Sequence, residues 1–290
     1  MSTYLLIDVS CLAHRAWHTT GGLSYQGDPT GVLFGVLRDI EQLRNQFTDD
    51  NSGLEYRSTC IFAFDSGGAG LRGQIEPSYK SNRRKELTED EEIALQGYRQ
   101  QVQRLYRELL PEMGFRNVSK VKGYEADDII AYYAERMPVR HQGIIVSSDN
   151  DLWQCLRPNV SWYSPTKKQT ITFASFKEEW GIYPSDWSRV KAIAGCSSDG
   201  VVGIRGVGEK TAVSWMRGQL KESSKKYQAI MHGLDIVSRN MELVKLPFEG
   251  LKLPKPRSDS LVESSQVYDK LGIKQGRTTA SRRAMAKGFL

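Results

Sequence analysis

Short blocks of nearly unbroken apolar residues alternate along this chain with longer stretches whose apolar positions recur every three or four. YLLIDV (4–9), TCIFAFD (59–65) and GIIVSSD (143–149) are strand-length, rich in Val, Ile and Phe, and each carries an aspartate at its C-terminal end. Between and around them, VLFGVLRDIEQLRNQF (32–47), IALQGYRQQVQRLYRELLPEMGF (93–115) and EADDIIAYYAERM (125–137) have helical spacing. Strands alternating with helices predict an α/β fold, mainly a parallel central sheet flanked by helices. Strands covered on both faces read as continuous apolar runs, as these do.

That reading bears on the acids. In open parallel sheets, ligands bind beyond the carboxyl ends of the strands. Asp8, Asp65 and Asp149 are expected at that rim, with Asp151 two residues further on. One aspartate after a strand is ordinarily a turn or helix cap; three on one rim need another explanation. GYEADD adds Glu125, Asp127 and Asp128 at a helix start, Glu125 and Asp128 sharing a face. A helix N-terminus favours each anion by only about 0.3–1 kcal/mol. Crowded carboxylates would raise one another's pKa and protonate unless a cation neutralised them. An all-oxygen donor set without clustered His or Cys points to Mg²⁺ or Mn²⁺, not Zn²⁺.

Residues 186–220 differ in texture. A helix-like segment is followed by the glycine-rich GIRGVG (203–208) and a second helix, EKTAVSWM. Gly203, Gly206 and Gly208 would let backbone amides approach an anion, with Lys191, Arg205 and Lys210 adding charge. Such a unit grips phosphate without reading sequence; an ordinary turn between packed helices is the competing reading. Beyond 221, KESSKKYQAIMHGLDIVSRNMELVKL reads as helices, PFEGLKLPKPRSDS as a loop, and the basic tail GIKQGRTTASRRAMAKGFL as frayed.

The 290 residues carry a net charge of +6, which is compatible with a polyanionic partner. No apolar run reaches the roughly 20 residues that span a bilayer, and the N-terminus lacks the basic start of a signal peptide. Cys11, Cys60, Cys155 and Cys196 are scattered and read as free thiols of a cytoplasmic protein.

YLLIDVSCLAHRAWHT, PTGVLFGVL, EPSYKSNRR, GYEADDIIA, SSDND and AGCSSDGVVGIRGVGEKTA stand in the order and spacing of the 5′-nuclease family. The chain resembles the 5′-3′ exonuclease domain of bacterial DNA polymerase I and the stand-alone phage 5′-nucleases, over about its first 220 residues and more loosely beyond. The resemblance implies a nuclease core (1–185) with a helical gateway (about 71–110), and a helical DNA-binding region (186–290) with a helix–hairpin–helix-type motif (about 188–220). With no polymerase domain following, a stand-alone nuclease is expected. It also implies a two-metal phosphodiesterase acting in replication or repair on 5′ flaps, nicks, single-strand/duplex junctions or RNA-primer hybrids. Asp8, Asp65, Glu125, Asp127, Asp128, Asp149, Asp151 and Asp199 would hold two ions, and a K⁺ at the hairpin loop is a further expectation. Tyr79, Lys80, Arg83 and Arg84 would line the gateway, with Lys80 or Arg83 steering the scissile phosphate and Arg72 a weaker candidate. A monomer with a polymerase or replisome partner is expected. Setting the eight acids aside, 26 carboxylates face 40 Lys and Arg, so the remaining surface is strongly basic.

Three positions depart from the usual bacterial pattern. Cys196 replaces a metal-site aspartate, Val9 replaces the glycine of DGS, and His14 stands where relatives carry an aromatic that stacks a base beside the scissile bond. Thiol is a poor Mg²⁺ ligand, so an alternative of another class is a DNA-junction binder whose second metal site has decayed. An RNA-directed nuclease of the wider PIN-like group is a third, against which the GIRGVGEK hairpin argues. Trp17, Trp153 and Trp162 read as structural.

Overall fold

In a computed structural model of the chain, residues 2–47, 58–81, 86–261 and 265–272 are described. The elements run β1 (Thr3–Asp8), α1 (Val9–Thr20), a small hairpin β2 (Ser24–Tyr25) and β3 (Asp28–Pro29), α2 (Gly31–Phe47), β4 (Ser58–Phe64), α3 (Arg72–Ile75), α4 (Glu89–Arg104), α5 (Leu110–Glu112), β5 (Asn117–Lys120), α6 (Ala126–Glu135), β6 (Gln142–Val146), β7 (Val160–Ser164), β8 (Gln169–Ile171), α7 (Phe173–Trp180), α8 (Trp187–Ala194), β9 (Gly195–Cys196), β10 (Val201–Val202), α9 (Glu209–Met216), α10 (Lys225–His232), α11 (Leu234–Val244) and α12 (Ser265–Lys270).

The central sheet has the order β5-β4-β1-β6-β7-β8. All pairings are parallel except β7 with β8. The chain adds strands to one side of β1 and then crosses to the other with β6, so the switch point lies between β1 and β6. The period of two divides each strand between two cores. Leu5, Ile7, Cys60, Phe62 and Phe64 pack with α1 and α2, whereas Leu6, Ile61 and Ala63 pack with α6, the Trp cluster and the C-terminal helices. That second core runs from Leu6 to Leu251 and joins the sheet to α8, α9 and α11.

The expected 93–115 helix starts earlier, capped by Thr88 in a reciprocal capping box with Glu91. It changes pitch to a π-turn at Leu105–Leu109, just before Pro111. Proline cannot donate to a regular helical ladder, and the wider turn accommodates it.

The proline-rich stretch after α11 is ordered as an extended strap. Phe248 N donates to Asp128 (2.8 Å), Tyr132 and Tyr133 hydroxyls donate to Leu253 O and Pro254 O, and Arg257 N donates to Asn117 Oδ1 (2.7 Å). Asp259 then accepts from Cys60 N at 2.9 Å and Arg116 N at 3.1 Å. The basic tail from 273 onward lies outside the described residues. No helix among the described residues is long and apolar enough to cross a membrane.

Candidate active site

Asp8 closes β1 and caps α1, accepting from Cys11 N (3.0 Å) and from the Ser147 hydroxyl (2.8 Å). Asp65 follows β4 and accepts from Ala126 N at 2.9 Å, which brings it to the start of α6. Asp149 stands three residues beyond β6 and accepts from Asp151 N at 2.8 Å. Glu125 caps α6, and Asp127 lies in its first turn. The loop before α4 closes the group: the Tyr79 hydroxyl donates to Glu125 (3.1 Å) and sits 3.3 Å from Asp199, while Lys80 Nζ is 2.6 Å from Glu125. Lys80 adopts a left-handed φ of 56° and donates its backbone N–H to Asp199 O at 2.7 Å. For a non-glycine residue that conformation costs on the order of 1 kcal/mol and is held by its surroundings.

Asp8 is raised to about 7 by burial and by Asp65. Asp149 is raised to about 6 by burial and by Asp151. Asp127 is raised by burial and then by Asp149, Asp8 and Asp65, with Lys80 opposing. Each acid therefore meets the field of acids from other strands and helices. A cavity of about 10 Å³, the size of one water, lies among Glu125, Asp127, Asp151 and Asp199 on one side and Arg72, Tyr79 and aliphatic side chains such as Leu243 on the other. Asp8, Asp65, Asp127 and Asp149 interact through their charges and offer the hard oxygens that a divalent cation prefers; among the described residues, the groups that bring one ligand atom each within 4.8 Å of one another are Asp151, Cys196 and Asp199.

The raised Asp8 has a consequence for stability. Its folded form keeps a proton to about pH 7, whereas an unfolded chain releases it near pH ~3.9. The folded state thus binds more protons in this window, and metal-free stability falls as pH rises, by about 1.4 kcal/mol per pH unit from this group. Asp8→Asn is expected to raise the Tm in EDTA at about pH 7 and to leave it nearly unchanged at about pH 4. An equal change at both pH values would reject the assignment.

Four expectations need correction. Asp128 is fully buried and paired through both oxygens with Arg72, at 2.8 and 2.8 Å, and also accepts from Glu125 N and Phe248 N. With its lone pairs engaged it braces the start of α6, and is not a metal ligand. Arg72 correspondingly is 2% exposed and does not line a gateway. Tyr79 is 3% exposed, so its ring offers no face to a base; it holds two acids. Lys191 is buried, 2.7 Å from Asp151 and 2.9 Å from both Asn150 and Glu209, so these three side chains engage its ammonium. Arg83 and Arg84 lie outside the described residues.

Of the other residues expected to contact DNA, Arg205, Gly206, Gly208 and Lys210 are exposed around the start of α9. Gly206 has φ 78°, a turn that suits glycine. Gly203 serves packing instead: a Cβ there would stand 2.2 Å from Ala194 C. His14 is exposed on α1, edge-on to His18 at 4.6 Å. Trp17 stacks on Tyr98 of α4 at 4.9 Å. Tyr98, which the sequence does not single out, has its hydroxyl pushed up to about 12 by burial and then by the charges of Asp65 and Asp8. Its tyrosine sits in an unremarkable amphipathic run, so only the tertiary arrangement reveals it. Beside the acids, Asp65, Gly67, Gly68, Lys80, Arg99 and Glu125 line a cleft of about 660 Å³. A larger cavity between α6, α11 and the strap, about 790 Å³, is lined by none of these acids.

Residues 3–181 match the family of the 5′-3′ exonuclease N-terminal, resolvase-like domain. The 5′-3′ exonuclease of Buchnera aphidicola is 29% identical over 252 residues, 86% of this chain and 77% of that one. The DNA polymerase I of Rhizobium leguminosarum is 29% identical over 83% of this chain, which corresponds to only 24% of the polymerase. The fold superposes with a TM-score of 0.69 on the D15 flap endonuclease of bacteriophage T5 in complex with DNA and metal ions, at 21% identity, over 84% of this chain and 89% of that one. The family match spans more than half of the residues, and the chain belongs to the 5′-3′ exonuclease family.

Proposed function

We propose that the chain is a Mg²⁺-dependent, structure-specific 5′-nuclease that hydrolyses DNA phosphodiesters where a 5′ single strand leaves a duplex. The observation that carries this reading is the convergence of acids from β1, β4, α6 and the loop after β6 on the sheet's switch point, where Asp8, Asp127 and Asp149 are held more protonated by burial and by their acidic neighbours. The T5 flap endonuclease with DNA and metal ions, and the exonuclease relatives, support it. Asp8, Asp65, Glu125, Asp127 and Asp149 would hold one ion, and Asp151, Asp199 and Cys196 stand where a second would bind. A bound dication at such a site offsets charge on attacking and leaving oxygens and makes water nucleophilic near neutral pH.

This chain's own residues do the rest. Lys80 Nζ, already at the acids, is placed to meet a non-bridging phosphate oxygen and to compensate charge as it develops. Arg99 and Lys80 line the cleft through which a 5′ strand would reach the acids. Arg205 and Lys210 would hold the duplex by phosphate contact, and His14 and the stacked Trp17 and Tyr98 would flank the scissile position. A K⁺ at the hairpin belongs to the same expectation.

The test is a labelled 5′ flap, a nick and an RNA-primed duplex incubated with Mg²⁺ or with EDTA. Cleavage near the junction in Mg²⁺ alone is expected; binding without products would favour the junction-binder reading, which Cys196 motivates. Arg205→Ala and Lys210→Ala are each expected to weaken flap binding several-fold and to reduce the slope of log affinity against log salt by about 1. Anisotropy titrations at several salt concentrations check this, and unchanged slopes would remove these residues from the interface.

A further inference from the structure

The two groups of donors differ in chemistry. Asp8, Asp65, Glu125, Asp127 and Asp149 offer oxygen alone, whereas Asp151, Cys196 and Asp199 offer two carboxylates and a sulfur, with one ligand atom from each within 4.8 Å of the others. Cys196 is held in the β9–β10 hairpin opposite Val201 and is 8% exposed. Its Sγ lies 3.6 Å from Asp151 Oδ2 and 3.1 Å from Ser198 Oγ. On the far side of Asp151, the Lys191 ammonium sits 2.7 Å from Oδ1.

Mg²⁺ suits this set poorly. It demands octahedral oxygen and gives up water reluctantly, and here it would find one anionic oxygen replaced by sulfur and an ammonium already paired with another ligand. The sulfur donor points elsewhere, to a softer dication. In a tetrahedral site with metal–sulfur and metal–oxygen bonds of about 2.3 and 2.0 Å, sulfur and oxygen stand about 3.5 Å apart. The Cys196 thiol donates a hydrogen bond to Asp151 Oδ2 at 3.6 Å, a separation close to that edge, so a metal could replace the thiol proton with little movement.

We propose that Asp151, Cys196 and Asp199 form a site selective for a thiophilic dication of the Zn²⁺ class over Mg²⁺, with Cys196 as the selecting ligand. The proposal deepens the 5′-nuclease reading, on which it rests. As the metal–sulfur bond forms, the S–H bond breaks and its proton leaves to water, with no change of oxidation state. Three protein donors leave the fourth position open to water or a phosphate oxygen, as in catalytic zinc sites.

Cd²⁺ reports the sulfur directly through an ultraviolet thiolate-to-metal charge-transfer band. The experiment uses the full chain carrying Cys11→Ser, because Cys11 stands beside Asp8. One equivalent of Cd²⁺ is expected to develop the band, Zn²⁺ to abolish it competitively, and an equal concentration of Mg²⁺ to leave it. Adding Cys196→Ser is expected to remove the band and to weaken Zn²⁺ binding at least about tenfold. Cys196→Asp, which restores an all-oxygen set, is expected to remove the band and to strengthen Mg²⁺ binding by calorimetry at least about tenfold. A band that survives Cys196→Ser, equal competition by Mg²⁺, or an unchanged Mg²⁺ affinity in folded Cys196→Asp would overturn the proposal. The band with no flap cleavage under any dication would sink the nuclease reading and keep the site; cleavage with no band would do the reverse.

Discussion

Asp127→Asn is expected to lower single-turnover cleavage of a 5′ flap in Mg²⁺ on the order of a thousandfold or more, with flap affinity in EDTA nearly unchanged. Asp127 stands among Asp149, Asp8 and Asp65, and Lys80 opposes their repulsion. The substitution keeps shape and removes one anion from a set whose closeness requires a dication. The loss should therefore appear in the chemical step, and the half-maximal Mg²⁺ concentration should rise. Asp128→Asn, one position away, makes the informative contrast. Its side chain faces Arg72, so it should cost stability while the folded fraction keeps cleaving. If Asp127→Asn turned over within about tenfold of the parent, the assignment of the acids to catalysis would be lost.

Arg72→Met is expected to destabilise the protein by about 3–5 kcal/mol in urea unfolding, one of the largest losses available to a single substitution here. Arg72 donates to both Asp128 oxygens and to Leu243 O at 2.7 Å, and its guanidinium lies over the Phe248 ring. Without it, a carboxylate that is fully buried keeps only two backbone donors. The cost comes mainly from that orphaned charge, so Arg72→Met combined with Asp128→Asn should recover much of the loss. A single-mutant effect below about 1 kcal/mol, or strict additivity in the pair, would show that the two residues are not a buried brace.

The strands and the rim they build were legible because buried parallel strands are apolar from end to end, and because Asp8 and Asp65 interrupt that pattern where it stops. The helical identity of α2 and α6 was legible from apolar positions that recur every three or four residues. The partition of the acids was not. Asp127 and Asp128 are neighbours of one chemistry, and only the arrival of Arg72, 56 residues earlier, decides which one is sequestered. Tyr79 and Lys191 misled in a related way. Each is a residue type that suits DNA contact, and each is turned inward by partners far off in sequence, Glu125 and Asp151 respectively. The strap was hidden because its order comes from hydrogen bonds to α6 and β4, and its own residues carry no periodicity.

That strap also bears on how the protein is made. Asp259 reaches back to Cys60 across 199 residues, and Phe248 to Asp128 across 120. During synthesis the edge of the sheet and the start of α6 must wait for the closing stretch to leave the ribosome. Until then the start of α6 lacks the Phe248 hydrogen bond to Asp128, and β4 lacks the carboxylate that accepts from Cys60.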